Sequence, residues 1–228
     1  MPEPSFSPEL FDFLSELADN NDREWFQANK ERYEDDVVDP ALRFISDIGP
    51  GLAEISPHIQ ALPKRVGGSM FRIYRDVRFS KDKSPYKTHV GIHFRHKQAK
   101  DAHAPGFYLH LEPGGVFMGS GIWHPPSAVI QKIRQSMLDD PAAWEKTRDE
   151  PAFRGPLKMG GESLKRPPRG VSKDHPLIED LKRKDLLVST ELDDADVLSP
   201  GFRDQFLDLC RQASPLTAWI CRALDAPF

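Results

Sequence analysis

The sequence predicts an α+β fold in which an antiparallel sheet is packed by helices from both ends of the chain. Apolar residues recur at helical spacing through position 48, alternate with a period of two from Met70 to Trp123, and return to helical spacing after Pro126. Helices, then strands, then helices is the order of a domain whose helices cover one face of an antiparallel sheet. A length of 228 residues with 39% apolar content suits one domain. It divides into a helical part over 1–62, a strand-rich part over 69–123 and a mainly helical part over 124–228, with a basic loop at 158–175.

Ser7 and Pro8 are start signals for a first helix, whose Leu10, Phe13, Leu14 and Leu17 share a face. Asn20-Asn21 ends it, and Asp22 caps a second helix carrying Trp25, Phe26, Asn29, Tyr33 and Val37. Asp39-Pro40 starts a third, with Leu42, Ile45 and Ile48 inward, and Gly49-Pro50-Gly51 interrupts it. Strands follow. Phe71, Ile73, Val77 and Phe79 alternate with Arg72, Tyr74, Asp76 and Arg78; Val90, Ile92 and Phe94 alternate with His89, Gly91, His93 and Arg95; Phe107, Leu109 and Leu111 alternate with Tyr108, His110 and Glu112. Pro113-Gly114 makes a turn into one more strand, giving a meander of three to four or more strands. Val129, Ile130, Ile133 and Met137 then mark a helix, and Asp140-Pro141 starts another. Residues 153–172 read as an irregular Gly/Pro/Lys-rich loop, 176–184 as a short helix and 186–192 as an isolated strand. Ser199-Pro200 caps a final helix, with a restart at Ser214-Pro215.

Charge is distributed unevenly. Residues 64–100 hold eleven Lys and Arg against Asp76 and Asp82, a formal +9 inside a protein whose total is −4. Like charges packed together cost free energy unless an anion or carboxylate neutralises them. The N-terminal residues lack the basic and apolar regions of a signal peptide, and no apolar run is long enough to span a membrane. Cys210 and Cys221 have no metal-knuckle spacing and read as reduced core thiols. The expectation is a cytoplasmic protein with no membrane contact.

On the solvated face of the meander, Arg72, Arg75, Arg78, Lys81, Lys83, Tyr86 and Lys87 are the candidate anion-binding residues. The competing reading pairs Arg75 and Arg78 with Asp76 or with the acidic run at 31–36. A second basic segment, Lys165, Arg166 and Arg169 on a proline-stiffened loop, serves the same anion if the two segments meet. For acid–base chemistry the candidates are His89 or His110, with Asp76 to orient the imidazole; Tyr86, between Lys83 and Lys87, is a candidate phenolate. No metal site is expected. His89 and His93 lie roughly 13 Å apart along a straight strand, too far to share an ion, and only a cross-strand pairing with His110 leaves one open. The best-supported partner is a phosphate- or carboxylate-bearing small molecule or a short nucleic acid. A histidine-dependent hydrolase or transferase and a docking module for an acidic partner are the alternatives, and no cofactor or oligomeric state is implied.

The run RDVRFSKDKSPYKT at 75–88, with PGFYLH at 105–110, GSGIW at 119–123, LKRPPRG at 164–170 and DHP at 174–176, resembles the family called domain of unknown function 2461. The resemblance covers the chain from about Ser5 to near its end. It implies one domain and brings no reaction, cofactor or catalytic residue. Val171 stands where the resemblance leads one to expect a tyrosine.

Overall fold

The computed structural model describes residues 3–98 and 103–228, so Lys100 of the basic stretch lies outside the described residues. The helical part begins with α1 (Pro8–Asp19), which buries Leu10, Phe11, Phe13, Leu14 and Leu17. Asp22 caps α2 (Arg23–Ala28) by accepting from the N–H groups of Glu24 and Trp25. A short α3 (Lys30–Arg32) runs through a π-helical turn (Tyr33–Val38) into α4 (Asp39–Ile55). The expected break at Asp39-Pro40 is therefore a widened turn. Pro40 has no N–H to give, and the Asp39 N–H reaches back five residues to the Glu34 carbonyl.

Neither internal proline stops its helix. Pro50 leaves the Ser46 carbonyl without a donor, but that face of α4 is solvated while Phe44, Ile45, Ile48 and Leu52 hold the other face in the core. In α9 (Phe202–Ala223), Pro215 would orphan the Arg211 carbonyl, and the Ser214 hydroxyl donates to it instead at 2.8 Å.

Five strands make one antiparallel sheet: β1 (Val90–Arg95), β2 (Gly106–Leu111), β3 (Phe117–Ile122), β4 (Lys158–Gly160) and β5 (Leu186–Glu191), in the order β1-β2-β3-β5-β4. The stretch expected as an isolated strand is β5, paired on both sides, and β4 lies inside the stretch expected to be irregular. Ile92, Phe94, Phe107, Leu109, Leu111, Met118, Leu186 and Val188 are buried on the face that the helices cover. Helix α9 is the hub of that layer. It meets β3 through the Ser120–Thr217 hydroxyl pair at 2.6 Å, β1 through the Phe94–Phe206 rings and α4 through the Phe44–Phe206 rings. Cys210 and Cys221 are buried free thiols within it, and burial pushes both pKa values up. Helices α5 (Ser127–Asp139), α6 (Pro141–Arg148), α7 (Ile178–Leu181) and α8 (Asp194–Val197) complete the fold. Among the described residues no helix is long and apolar enough to cross a membrane.

The strand expected at 71–79 does not form. Phe79 is 95% exposed, and the segment has only single bridges, Met70 to Ile92 and Tyr74 to Tyr86. Local hydrogen bonds displace the ladder: the N–H of Arg78 donates to the Asp76 carboxylate and that of Ser84 to Asp82. What this segment does provide is cover for the outer margin of β1. There Phe71 N–H donates to the Gly91 carbonyl, His93 N–H to the Ser69 carbonyl and Gln60 N–H to the Arg95 carbonyl.

Candidate functional site

The face of the sheet away from the helical layer is set by register. One row across the strands is Gly91, His110, Phe117 and Glu191; the next is His93, Tyr108, Gly119, Ser189 and Lys158; the third is Arg95, Gly106, Gly121, Leu187 and Gly160. Three of the five residues in the third row lack a side chain, and Gly119 interrupts the second. Glycine inside a strand marks a close approach or an opening: Gly106 and Gly121 stand in close approach to neighbouring backbone, Gly119 leaves space above the sheet, and a cavity of about 420 Å³ lies on this face. Gly106, Gly119 and Gly121 contribute to its floor, while Phe71, His93, Tyr108, Phe117, Trp123 and Leu187 bound it. The lining is mostly apolar, and Trp123 is 57% exposed, stacked on the His124 ring at 4.2 Å.

Polar groups enter at two places. His93 is buried beside Phe71 and Tyr108, and burial, reinforced by the charges of Arg95 and His103, pushes its pKa down to about 4. It is thus neutral at pH 7. Because the unfolded chain binds this proton more readily, stability falls as pH drops from about 6.5 toward about 4 and levels off below. Arg95, His103 and Tyr108 are the titratable or charged neighbours that bear on this group. The unfolding free energy of wild type, from urea titrations, should fall between pH 7 and 4.5 by more than that of His93→Gln, the difference being on the order of 2 kcal/mol. Equal slopes for the two proteins would remove His93 as the source.

The second place is a chain along one side of β2. Tyr108 Oη lies 3.1 Å from His110 Nδ1, His110 Nε2 lies 3.1 Å from Glu112 Oε2, and Thr88 donates to Glu112 Oε1 at 3.2 Å. The alternation that places Tyr108 and His110 on one face carries Glu112, just past the strand, to the same side. His110 stacks on Phe117 at 4.6 Å, and the His89 ring lies 4.3 Å from that of His110. Burial, with His110 close by, lowers the His89 pKa to about 4, and burial raises that of Tyr108 to about 12. Burial alone would raise the Glu112 carboxyl, but hydrogen bonds from His110 and Thr88 outweigh it and hold it below its ordinary value.

The basic connector is largely occupied with itself. Arg75 binds Asp82 and the Ser84 carbonyl, Arg78 makes a two-pronged pair with Asp76, and Lys83 donates to the Val77 carbonyl. The Arg78 hydrogen bonds hold the Asp76 carboxyl down at about 2, and hydrogen bonds from Ser84 and Arg75 hold Asp82 lower still. Asp76 is committed to Arg78, and the carboxylate on His110 is Glu112. Among the described residues Arg72 and Lys81 have no ion-pair partner. Lys87 lies 5.4 Å from the centre of the ring of Phe71, a residue of the cavity wall, and donates to the Arg72 carbonyl. Tyr86 is a core residue, stacked on Phe26 at 4.1 Å, and burial raises its pKa. The expected phenolate is corrected accordingly.

Lys165, Arg166 and Arg169 are exposed on the loop that follows β4, whereas residues 69–71 border β1. Those strands are the two margins of the sheet, four strand spacings or about 19 Å apart. The short helix near this loop, α7, begins at Ile178, two residues beyond Pro176, and is only four residues long.

Glu112, Thr88, Trp123 and the glycine floor did not emerge as site residues from the sequence. The readable signals were the i, i+2, i+4 spacing of Tyr108, His110 and Glu112 and the Gly119-Ser120-Gly121 alternation within a strand. No curated protein and no solved structure matches the chain. Residues 9–219 match the family model described as conserved hypothetical protein (DUF2461), and with the match spanning most of the chain, the chain belongs to that family.

Proposed function

We propose that the open face of the sheet binds a small molecule with a flat apolar body and a phosphate or carboxylate group. The observation that carries this reading is the glycine-floored cavity. Its aromatic boundary suits a planar body, and the few polar groups beside it suit recognition of one end. In this reading Lys87, whose ammonium is partly desolvated beside the wall residue Phe71 and near Arg72, meets the anionic group. Arg75 and Arg78 instead shape the connector, because their guanidinium groups are already held by carboxylates.

A thermal-shift screen of nucleotides, sugar phosphates and aromatic carboxylates tests this. A ligand at a hundred times its Kd stabilises by about 2.7 kcal/mol, roughly 5–10 °C for a domain of this size. Gly119→Leu should abolish the shift while leaving the ligand-free melting temperature within a few degrees, since a Cβ there meets nothing nearer than the Val188 carbonyl at 3.8 Å. Lys87→Met should weaken binding of the anionic ligand and remove its salt dependence. A ligand that binds Gly119→Leu as tightly as wild type would place the site elsewhere.

A second reading, hydrolysis or transfer on the bound phosphate, is favoured by the Tyr108–His110–Glu112 chain, which abuts the cavity through Tyr108 and Phe117. In it His110 exchanges the proton and Glu112 orients the imidazole. Turnover that survives in His110→Gln would exclude it.

A further inference from the structure

We propose that His89, His110 and Glu112 form a binding site for a first-row divalent transition ion of the Zn²⁺ type. Each offers one ligand atom, and the three atoms lie within 4.8 Å of one another. Two imidazoles and a carboxylate are a donor set that suits such an ion and leaves a coordination position open. In a four-coordinate site with bonds of about 2.0–2.1 Å, neighbouring ligand atoms stand roughly 3.3 Å apart. His110 Nε2 and Glu112 Oε2, 3.1 Å apart, already have nearly that spacing. His89 closes the remainder by rotating a side chain that precedes β1 and faces the His110 ring.

The outer contacts support the same assignment independently. Metal-bound imidazoles and carboxylates are held by hydrogen bonds on the atoms that face away from the ion. Here the far nitrogen of His110, Nδ1, meets Tyr108 Oη, and the far oxygen of Glu112, Oε1, accepts from Thr88. The near atoms of both residues are thereby turned toward each other, and an ion would sit where a proton now joins them.

His89 precedes β1, whereas His93 lies within it. The pair that meets is His89 with His110. Gly91 opposes His110 in the β1–β2 register, so His89 lies diagonally across from it, two residues further along.

The test uses the full chain stripped with chelator, titrated with Zn²⁺ by calorimetry and with Co²⁺ by visible absorption. One equivalent should bind, and Co²⁺ should give the intense ligand-field bands of a low-coordinate site. His89→Ala and Glu112→Gln should each weaken Zn²⁺ binding at least tenfold and change the Co²⁺ spectrum, while Tyr108→Phe weakens it less. Circular dichroism of each variant establishes folding, and either folded ligand variant suffices for the comparison. No binding of either ion by wild type at micromolar concentration overturns the proposal. So does binding that is unchanged in a folded ligand variant.

Discussion

Phe44→Ala should destabilise the protein by about 4 kcal/mol, lowering its melting temperature by roughly 10 °C or more. Phe44 is fully buried on α4, with Phe6 at 5.2 Å, Phe202 at 5.5 Å and Phe206 at 5.6 Å around it. These rings come from the segment before α1 and from α9, so the lost side chain is shared by both ends of the chain. None of the three can swing into the void without abandoning its own contacts, and the cavity stays open. Phe44→Leu keeps most of the volume and should cost about a third as much. Urea unfolding of both variants measures this, and a loss below about 1 kcal/mol for Ala would mean that the aromatic cluster can collapse.

The second large effect is expected at Gly121. Its φ of 127° lies where L side chains rarely go, and an added Cβ would stand 2.1 Å from the Leu186 carbonyl oxygen and 2.8 Å from Leu187 Cα. Both neighbours are backbone of β5, paired to β3, so relief requires separating two strands. Strain and overpacking each cost about 1–3 kcal/mol, and Gly121→Ala should lose about 2–6 kcal/mol. Two residues away, Gly119→Ala should stay within about 0.5 kcal/mol of wild type because its nearest neighbour is at ordinary contact distance. The paired comparison in urea separates a glycine required by the backbone from one that leaves the cavity open. Equal stability of the two variants would refute that distinction.

What could be read from the sequence follows from how local each cause is. The Asp22 cap, the α1 stripe and the alternation in β1 and β2 are set by neighbouring residues, and they fold as their patterns imply. The segment from Phe71 to Phe79 carries the same alternation, yet the pattern cannot say whether a neighbouring strand exists to accept its hydrogen bonds. Pro50 and Pro215 misled for a related reason. Whether a proline ends a helix depends on what meets the orphaned carbonyl: solvent in one case, Ser214 in the other. His89 and His110 were identifiable as residues, but their meeting depends on register, and Glu112 became a partner only once the strand placed it on their side. The concentration of positive charge was legible, and so was Asp76 as a competing partner, which takes Arg78; Asp82 as the partner of Arg75 needed the folded path of the connector to be recognised.

The cover over β1 has a consequence for how other molecules can approach. Main-chain groups along that margin are engaged by residues 60, 69 and 71, and the opposite margin, β4, is three residues long. A peptide cannot readily extend this sheet by adding a strand, the route by which many recognition domains and many aggregates grow. The binding proposed for the open face would accordingly fall to side chains and to the glycine floor, with a selectivity that depends on the shape and charge of the visitor rather than on a repeating backbone.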